Sequence, residues 1–151
     1  MSIEDRLKEM NITLPKAAAP AANYVPFVKS GNHLYISGQV PMGTGGLEYI
    51  GKLGENTSVE DGQAAAKLCA VNLLAQAKSA LGELENIKRL VKLVGFVNSA
   101  PDFGDQPKVI NGASDFMVEV MGEKGRHARS AVGVAALPFG VAVEIEAIFE
   151  I

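Results

Sequence analysis

The sequence predicts an α+β domain in which two main helices pack on one face of a mixed β-sheet. Short β-prone runs occur in the first third, the middle and the last quarter of the chain, and two segments with three- and four-residue apolar spacing lie between them. No repeat or linker divides the 151 residues. A single domain over residues 1–151 is therefore expected, and a chain of this length can build its core without disulfides or metal.

The first 23 residues predict an N-terminal helix followed by a surface arm. Ser2 and Asp5 have the spacing of a capping box in its acidic form, and apolar residues recur at helical spacing from Ile3 onwards. Residues 14–23 contain two prolines and five alanines, a composition that favours an irregular course across the surface.

Strands are predicted over residues 25–29 and 33–40, joined by a turn at residues 30–32. In the second strand polar and apolar residues alternate, which gives it one polar and one apolar face. The glycines between residues 43 and 54 predict a loop, with a short third strand around residues 47–52.

The remaining elements follow from periodicity and helix-end signals. Ser58 and Gly82 suit the two ends of a long amphipathic helix. The later elements are a strand over residues 89–98, a helix over 107–122, and strands over 128–136 and 142–149. Because the helices cover only one face of the sheet, the other face is available to a second subunit, and a homo-oligomer is expected.

Composition and charge exclude several classes of protein. The net charge of -3 and the pI near 5.4 argue against a nucleic-acid-binding face. The single cysteine, Cys69, lies among apolar residues of the predicted helix and is expected to be a structural thiol in a reducing compartment. With no signal-peptide pattern and no apolar run of membrane-spanning length, a cytoplasmic protein is expected, with no membrane partner.

Two patterns that resemble cofactor sites each lack a residue or spacing that the site requires. Residues 46–52 fit GxxxxGK, but Leu53 stands where a phosphate-binding loop needs a serine or threonine for magnesium. The two histidines, His33 and His127, are far apart and belong to no metal-ligand motif. The sequence therefore predicts neither a metal site nor a cofactor.

Arg129 is the most informative residue, because it is a charged side chain inside an apolar, β-prone run that ends with Glu144 and Glu146. A guanidinium keeps its charge and matches a carboxylate with two parallel donors. If the last two strands pair as a hairpin, Arg129 and Glu144 lie on neighbouring strands. A small-anion site, a structural ion pair and a solvated strand edge all remain open, and the matching strand parity of Glu146 favours the last.

The chain resembles the RidA family, the YjgF-type enamine and imine deaminases that are also called L-PSP endoribonucleases. The resemblance spans most of the chain, and the order and spacing of its segments make it specific. The segments are Tyr24, GNHLYISGQVP from Gly31 to Pro41, the helix with Asn72, VINGASDF with Asn111, RSxVxVxxLP from Arg129, and VEIEAI from Val143 to Ile148.

The resemblance implies a fold like that of bacillus-type chorismate mutase and a homotrimer packed through its sheets, with a cleft at each subunit interface. It implies that Arg129 grips the carboxylate of a 2-imino or 2-enamino acid such as 2-aminoacrylate, and that Glu144 holds or activates the attacking water. Cleft residues carried over from the family are Tyr24, Ser37, Asn111, Ser130 and Ala131. The reaction that the resemblance implies yields a 2-oxo acid and ammonia and uses no cofactor.

The chain also departs from the family pattern. Ala131 occupies a position where cysteine is common, Ala22-Asn23 replaces a Gly-Pro, and the N-terminal helix and a longer loop over residues 43–56 are additional. These features suggest a divergent branch. Two alternatives are a trimer that binds small carboxylates without turnover, and an endoribonuclease, against which the acidic composition argues.

Overall fold

The computed structural model of the chain describes residues 1–19 and 22–151. Three α-helices and seven strands form within those residues. In chain order they are α1 (Ile3–Glu9), β1 (Phe27–Ser30), β2 (His33–Gln39), β3 (Met42–Gly43), β4 (Gly46–Leu47), α2 (Val59–Leu81), β5 (Arg89–Asn98), α3 (Gln106–Met121), β6 (Ala128–Val134) and β7 (Val143–Glu150).

The main sheet has five strands in the order β1-β2-β7-β5-β6. β5 and β6 are parallel and are connected through α3, whereas the other neighbouring pairs are antiparallel. α2 packs on β2 and β7, and α3 packs on β5 and β6, all on the same face of the sheet. The mixed α+β sheet with two main helices on one face is therefore confirmed.

The ends of the helices follow the predicted capping signals. Ser2 accepts a hydrogen bond from the Asp5 backbone, and the Asp5 carboxylate accepts one from the Ser2 backbone, which completes the capping box of α1. At the start of α2, the Ser58 side chain accepts a hydrogen bond from the Asp61 backbone. Gly82 ends α2 with φ of 79°, a conformation that glycine adopts without steric cost.

The arm that follows α1 forms neither helix nor strand over residues 14–19 and 22–23, as predicted; residues 20 and 21 of the predicted arm lie outside the described part of the chain. It lies across α2, where the Gln76 side chain donates a hydrogen bond of 2.8 Å to the carbonyl of Ala18. Asn72, one turn earlier, donates to the carbonyls of Val40 and Met42.

These contacts correct the prediction that α2 is amphipathic. Residues 69–77 are all buried, so the central turns of α2 have no solvent-exposed face. The sheet and α3 cover part of this surface, while the arm and the segment before β3 cover the polar side that was expected to face water.

Two strand predictions were wrong. Residues 47–52 do not form a sheet strand; β3 and β4 instead pair with each other as a small hairpin, and Ile50 makes one isolated bridge to Val141. The last two strands are not a hairpin, because β5 lies between β6 and β7. The segment between them leaves the sheet and is tied by backbone hydrogen bonds from Gly51 to Gly140 and from Ala142 to Tyr49, both 2.9 Å.

The sheet face away from the helices is open in the single chain. It carries Tyr35, Lys92, Val94, Phe96, Glu146 and Ile148, and Tyr35 is 45% exposed. None of the helices in the described residues is long and apolar enough to cross a membrane.

Candidate functional site

Glu144 borders a cavity of about 200 Å³ at the start of β7, which we call the Glu144 cavity. Its lining includes Tyr24, Ser37, Gln39, Met42 and Phe139. Glu144 is half-buried, and the loss of hydration raises the pKa of its carboxyl group; the negative charge of Glu146 raises it further. The raised pKa makes this carboxylate a stronger proton acceptor than a fully hydrated glutamate.

The SGQ segment of β2 creates the space for the Glu144 side chain. The pairing of β2 with β7 shifts register between Ile36 and Gln39, so the segment bulges beside Glu144. A Cβ atom on Gly38 would lie 2.6 Å from Oε2 of Glu144. Glycine at position 38 therefore lets the carboxylate lie against the backbone of β2.

Tyr24, just before β1, and Ser37, on β2, border the same cavity. Ser37 Oγ donates a hydrogen bond of 2.9 Å to the carbonyl of Val25, which ties the segment carrying Tyr24 to β2. Phe139 reaches it from the connection between β6 and β7; it is 71% exposed and has φ of 61°, an uncommon conformation for a bulky residue. Sequence reasoning did not single out Phe139.

Arg129 borders a second, more open cavity of about 280 Å³ between α3 and β6, which we call the Arg129 cavity. Its Nη1 donates to Asn111 Oδ1 at 2.9 Å and to Ser114 Oγ at 3.1 Å, and its Nη2 donates to the carbonyl of Pro107 at 3.3 Å. All three acceptors belong to α3. The helix therefore holds the guanidinium in a fixed orientation at the edge of the sheet.

Ser114 and His127 also border the Arg129 cavity, and sequence reasoning missed both as site residues. Ser114 lies three positions after Asn111 on α3, so the two side chains share one helix face. That spacing was the available signal for Ser114. The contact between Ser114 Oγ and His127 Nε2, at 2.9 Å, depends on the tertiary fold and has no signature in the sequence.

The structure does not bring Arg129 and Glu144 together within one chain. Arg129 pairs with Leu93, whose side chain is buried under the helices, and Ala131 pairs with Gly95 on that same face. Glu144 pairs with Phe96 on the open face, and Ser130 of β6 shares that face. The prediction that Arg129 and Glu144 lie on neighbouring strands was wrong, because the parallel strand β5 separates β6 from β7.

Other charged or reactive residues serve the scaffold. Lys52, from the GxxxxGK pattern, donates hydrogen bonds to Asn98 Oδ1 and to the carbonyl of Ala135. Cys69 is fully buried, and burial raises the pKa of its thiol well above its usual value. Within residues 1–19 and 22–151, no cluster of three histidine, cysteine or acidic side chains could hold a metal ion.

Comparison with known proteins identifies the family. The model described as "YjgF/chorismate mutase-like, putative endoribonuclease" matches residues 4–148. The chain therefore belongs to the YjgF family, and its fold is that of the YjgF and chorismate-mutase-like proteins.

Individual proteins extend this comparison. Protein TCP17 of Trypanosoma cruzi is 53% identical over 146 residues, which span 96% of this chain and 91% of TCP17. The structure of Atu1372 from Agrobacterium tumefaciens is 57% identical with a TM-score of 0.93, covering 99% of this chain and 92% of that one. TdcF of E. coli, solved with bound serine, is 27% identical with a TM-score of 0.66 over 90% and 94% of the two chains.

Proposed function

We propose that this protein hydrolyses reactive 2-imino acids, formed from 2-enamino acids such as 2-aminoacrylate, to 2-oxo acids and ammonia. The observation that carries the proposal is the pair of half-sites: a guanidinium fixed by three hydrogen bonds, and a half-buried carboxylate with a raised pKa in a small cavity. Family membership supports it, as does the serine bound to TdcF, which is a small amino acid with a carboxylate.

In this mechanism Arg129 binds the substrate carboxylate and orients the imine carbon towards a water beside Glu144. Glu144 accepts a proton from the water as its oxygen bonds to the imine carbon. That proton passes to the imine nitrogen and gives a carbinolamine. The hydroxyl proton of the carbinolamine then passes to the nitrogen as the C–N bond breaks, and ammonia leaves as the C=O bond of the 2-oxo acid forms. An acid or base of this kind contributes about 10² to 10⁴ in rate, which suffices for an electrophilic imine.

The two half-sites lie on opposite faces of the sheet, so we propose that each complete site uses two protomers. One protomer supplies Arg129, Asn111 and the neighbouring backbone of Ser130 and Ala131. Its partner supplies the Glu144 cavity on its open sheet face. A homotrimer packed through these faces satisfies this requirement, and it also covers the exposed apolar side chains of the open face.

The test is turnover of 2-aminoacrylate, which a dehydratase generates in the assay. Turnover is measured as the rate of ammonia release. Arg129→Lys keeps the charge but loses the planar fork, and we expect kcat/KM to fall about 10²-fold or more. Arg126→Lys is the matched control, because Arg126 borders the same cavity and, among the described residues, its side chain bonds only to the exposed Glu123. Wild-type turnover by Arg129→Lys would contradict the proposal.

The two alternatives give different results in the same experiment. A carboxylate-binding protein without activity would bind a 2-oxo acid in calorimetry and release no ammonia from 2-aminoacrylate above the uncatalysed rate. An endoribonuclease would cleave RNA in the wild type and lose that cleavage in both Arg129→Lys and Glu144→Gln.

A further inference from the structure

A chain of hydrogen bonds runs from the backbone of Gly125 through two side chains to Arg129. The carbonyl of Gly125 lies 2.6 Å from His127 Nδ1, and His127 Nε2 lies 2.9 Å from Ser114 Oγ. Ser114 Oγ in turn lies 3.1 Å from Arg129 Nη1. These hydrogen bonds link the turn before β6 to α3, and α3 to β6.

The chemistry of these groups fixes the direction of every proton. A carbonyl only accepts, so His127 must carry its proton on Nδ1 and donate it to Gly125. Nε2 of the neutral ring is then an acceptor, and the Ser114 hydroxyl donates to it. The lone pairs of Ser114 Oγ remain free to accept from the Arg129 guanidinium, which can only donate.

Three of the five N–H donors of the Arg129 guanidinium bond to α3. Asn111 and Ser114 take both hydrogens of Nη1, and Pro107 takes one hydrogen of Nη2. Within the described residues, Nε and the second hydrogen of Nη2 have no protein acceptor. Two donors are the number that a bidentate contact with a carboxylate requires.

We infer that Ser114 and His127 are positioning residues that orient the Arg129 fork towards the carboxylate of the ligand. The inference rests on the proposed role of Arg129 in binding a carboxylate. Neither residue touches the ligand in this account. Ser114 accepts a hydrogen bond from Nη1 directly. His127 acts through Ser114, because it accepts the hydroxyl hydrogen of Ser114 and so keeps that hydrogen away from the guanidinium.

The orientation depends on His127 being neutral. Burial lowers the pKa of His127, and the nearby positive charge of Arg129 lowers it further, so the ring is neutral at pH 7. The charged groups that border this cavity are Asp115 on α3, Arg126 in the turn before β6, and Arg129 in β6. Once protonated, His127 would donate from Nε2 to Ser114 Oγ, and its positive charge would face the Arg129 guanidinium across that shared oxygen and repel it.

The test is the dissociation constant for 2-oxobutanoate, measured by calorimetry at pH 7.5 and pH 5.5. The Glu144→Gln background removes the titration of Glu144 from the comparison. At pH 7.5 we expect Ser114→Ala to weaken binding about fivefold or more, the effect of one lost hydrogen bond to a charged group. Ser114→Thr keeps the hydroxyl and should bind as the parent does, and exposed Ser79→Ala is the matched control.

The pH comparison separates a positioning role from a structural one. We expect binding to weaken between pH 7.5 and pH 5.5 in the parent, and this pH dependence to disappear in His127→Phe. Unchanged affinity in Ser114→Ala, or the same pH dependence in His127→Phe as in the parent, would overturn the inference. Failure of the Glu144→Gln parent to bind 2-oxobutanoate would also overturn it, because Arg129 would then have no carboxylate to bind. Turnover of 2-aminoacrylate, measured separately, decides the proposed function.

Discussion

At the scale of single residues, the partial burial that suits Glu144 to its proposed role also has an energetic cost. Its carboxyl group has a raised pKa in the folded protein because it is partly removed from water and lies near Glu146. At neutral pH the ionised form is therefore less favourable in the folded chain than in the unfolded chain. The stability associated with a raised pKa is present at low pH and is lost as the pH rises through the folded-state pKa.

We predict that Glu144→Gln raises the melting temperature at pH 7.5 while turnover of 2-aminoacrylate is lost. The amide removes the buried charge and cannot accept the proton of the water. Below about pH 4 the carboxyl group is protonated in both the folded and unfolded chain, so the two melting temperatures should converge. A variant that is less stable than the wild type at pH 7.5 would refute this electrostatic account.

Gly38 gives a second residue-scale prediction. A Cβ at this position would lie 2.6 Å from Glu144 Oε2, the far end of a flexible side chain that can move aside. We therefore expect Gly38→Ala to lower kcat/KM by about 10- to 100-fold, by displacing the carboxylate, with little change in melting temperature. Gly45→Ala is the matched control, because nothing lies within 4 Å of its Cβ position. Equal activity of the two variants would rule out this role for Gly38.

Residue-scale reasoning from the sequence found Arg129, because an arginine in an apolar strand needs partners, and the structure supplies three acceptors on α3. It did not find His127 or Phe139. His127 contacts Ser114 only after α3 has packed against β6, and Phe139 reaches the Glu144 cavity from an irregular connection. Neither position follows any periodic pattern.

At the scale of secondary-structure elements, α2 and α3 pack closely at Gly112. A Cβ on Gly112 would lie 2.1 Å from the backbone oxygen of Gln63. The small residue therefore sets the distance between the two helices, and with it the position of the α3 face that holds Arg129.

We predict that Gly112→Ala destabilises the protein by about 1–3 kcal/mol, as overpacking of a core does. The sign is diagnostic, since glycine to alanine inside an unconstrained helix stabilises by about 1 kcal/mol. Chemical denaturation measures the change, with Gly104→Ala as the control because nothing lies within 4 Å of its Cβ position. A stabilised Gly112→Ala variant would show that the helices separate easily.

Element boundaries were largely predictable, because capping residues and apolar spacing act locally. β5 matches the predicted residues 89–98, and α2 and α3 begin and end within one residue of the predicted bounds. Strand order was not predictable by the same means. A strand, a helix and a strand in succession favour a parallel crossover. The short segment between β6 and β7 instead suggested a hairpin. In the structure the connection over residues 135–142 leaves the sheet and contacts residues 49–51, so no hairpin forms.

At the scale of the whole molecule, the strand order explains why the proposed site needs two protomers. Arg129 lies on the helix-covered face of β6, Glu144 lies on the open face of β7, and β5 separates the two strands. The sequence predicted an uncovered face, and the proposal assigns that face to a second protomer. The same contact that hides Tyr35 and its apolar neighbours would complete the site.

Subunit mixing tests this central claim most directly. Arg129→Ala and Glu144→Gln chains carrying different tags are co-expressed, and the mixed assemblies are isolated through both tags. If each site takes Arg129 from one protomer and Glu144 from the next, each parent variant is inactive. Each mixed cyclic trimer, whether it holds one or two copies of either variant, would then contain one complete site, about one third of the wild-type number. Mixed assemblies that regain no turnover of 2-aminoacrylate would contradict the account.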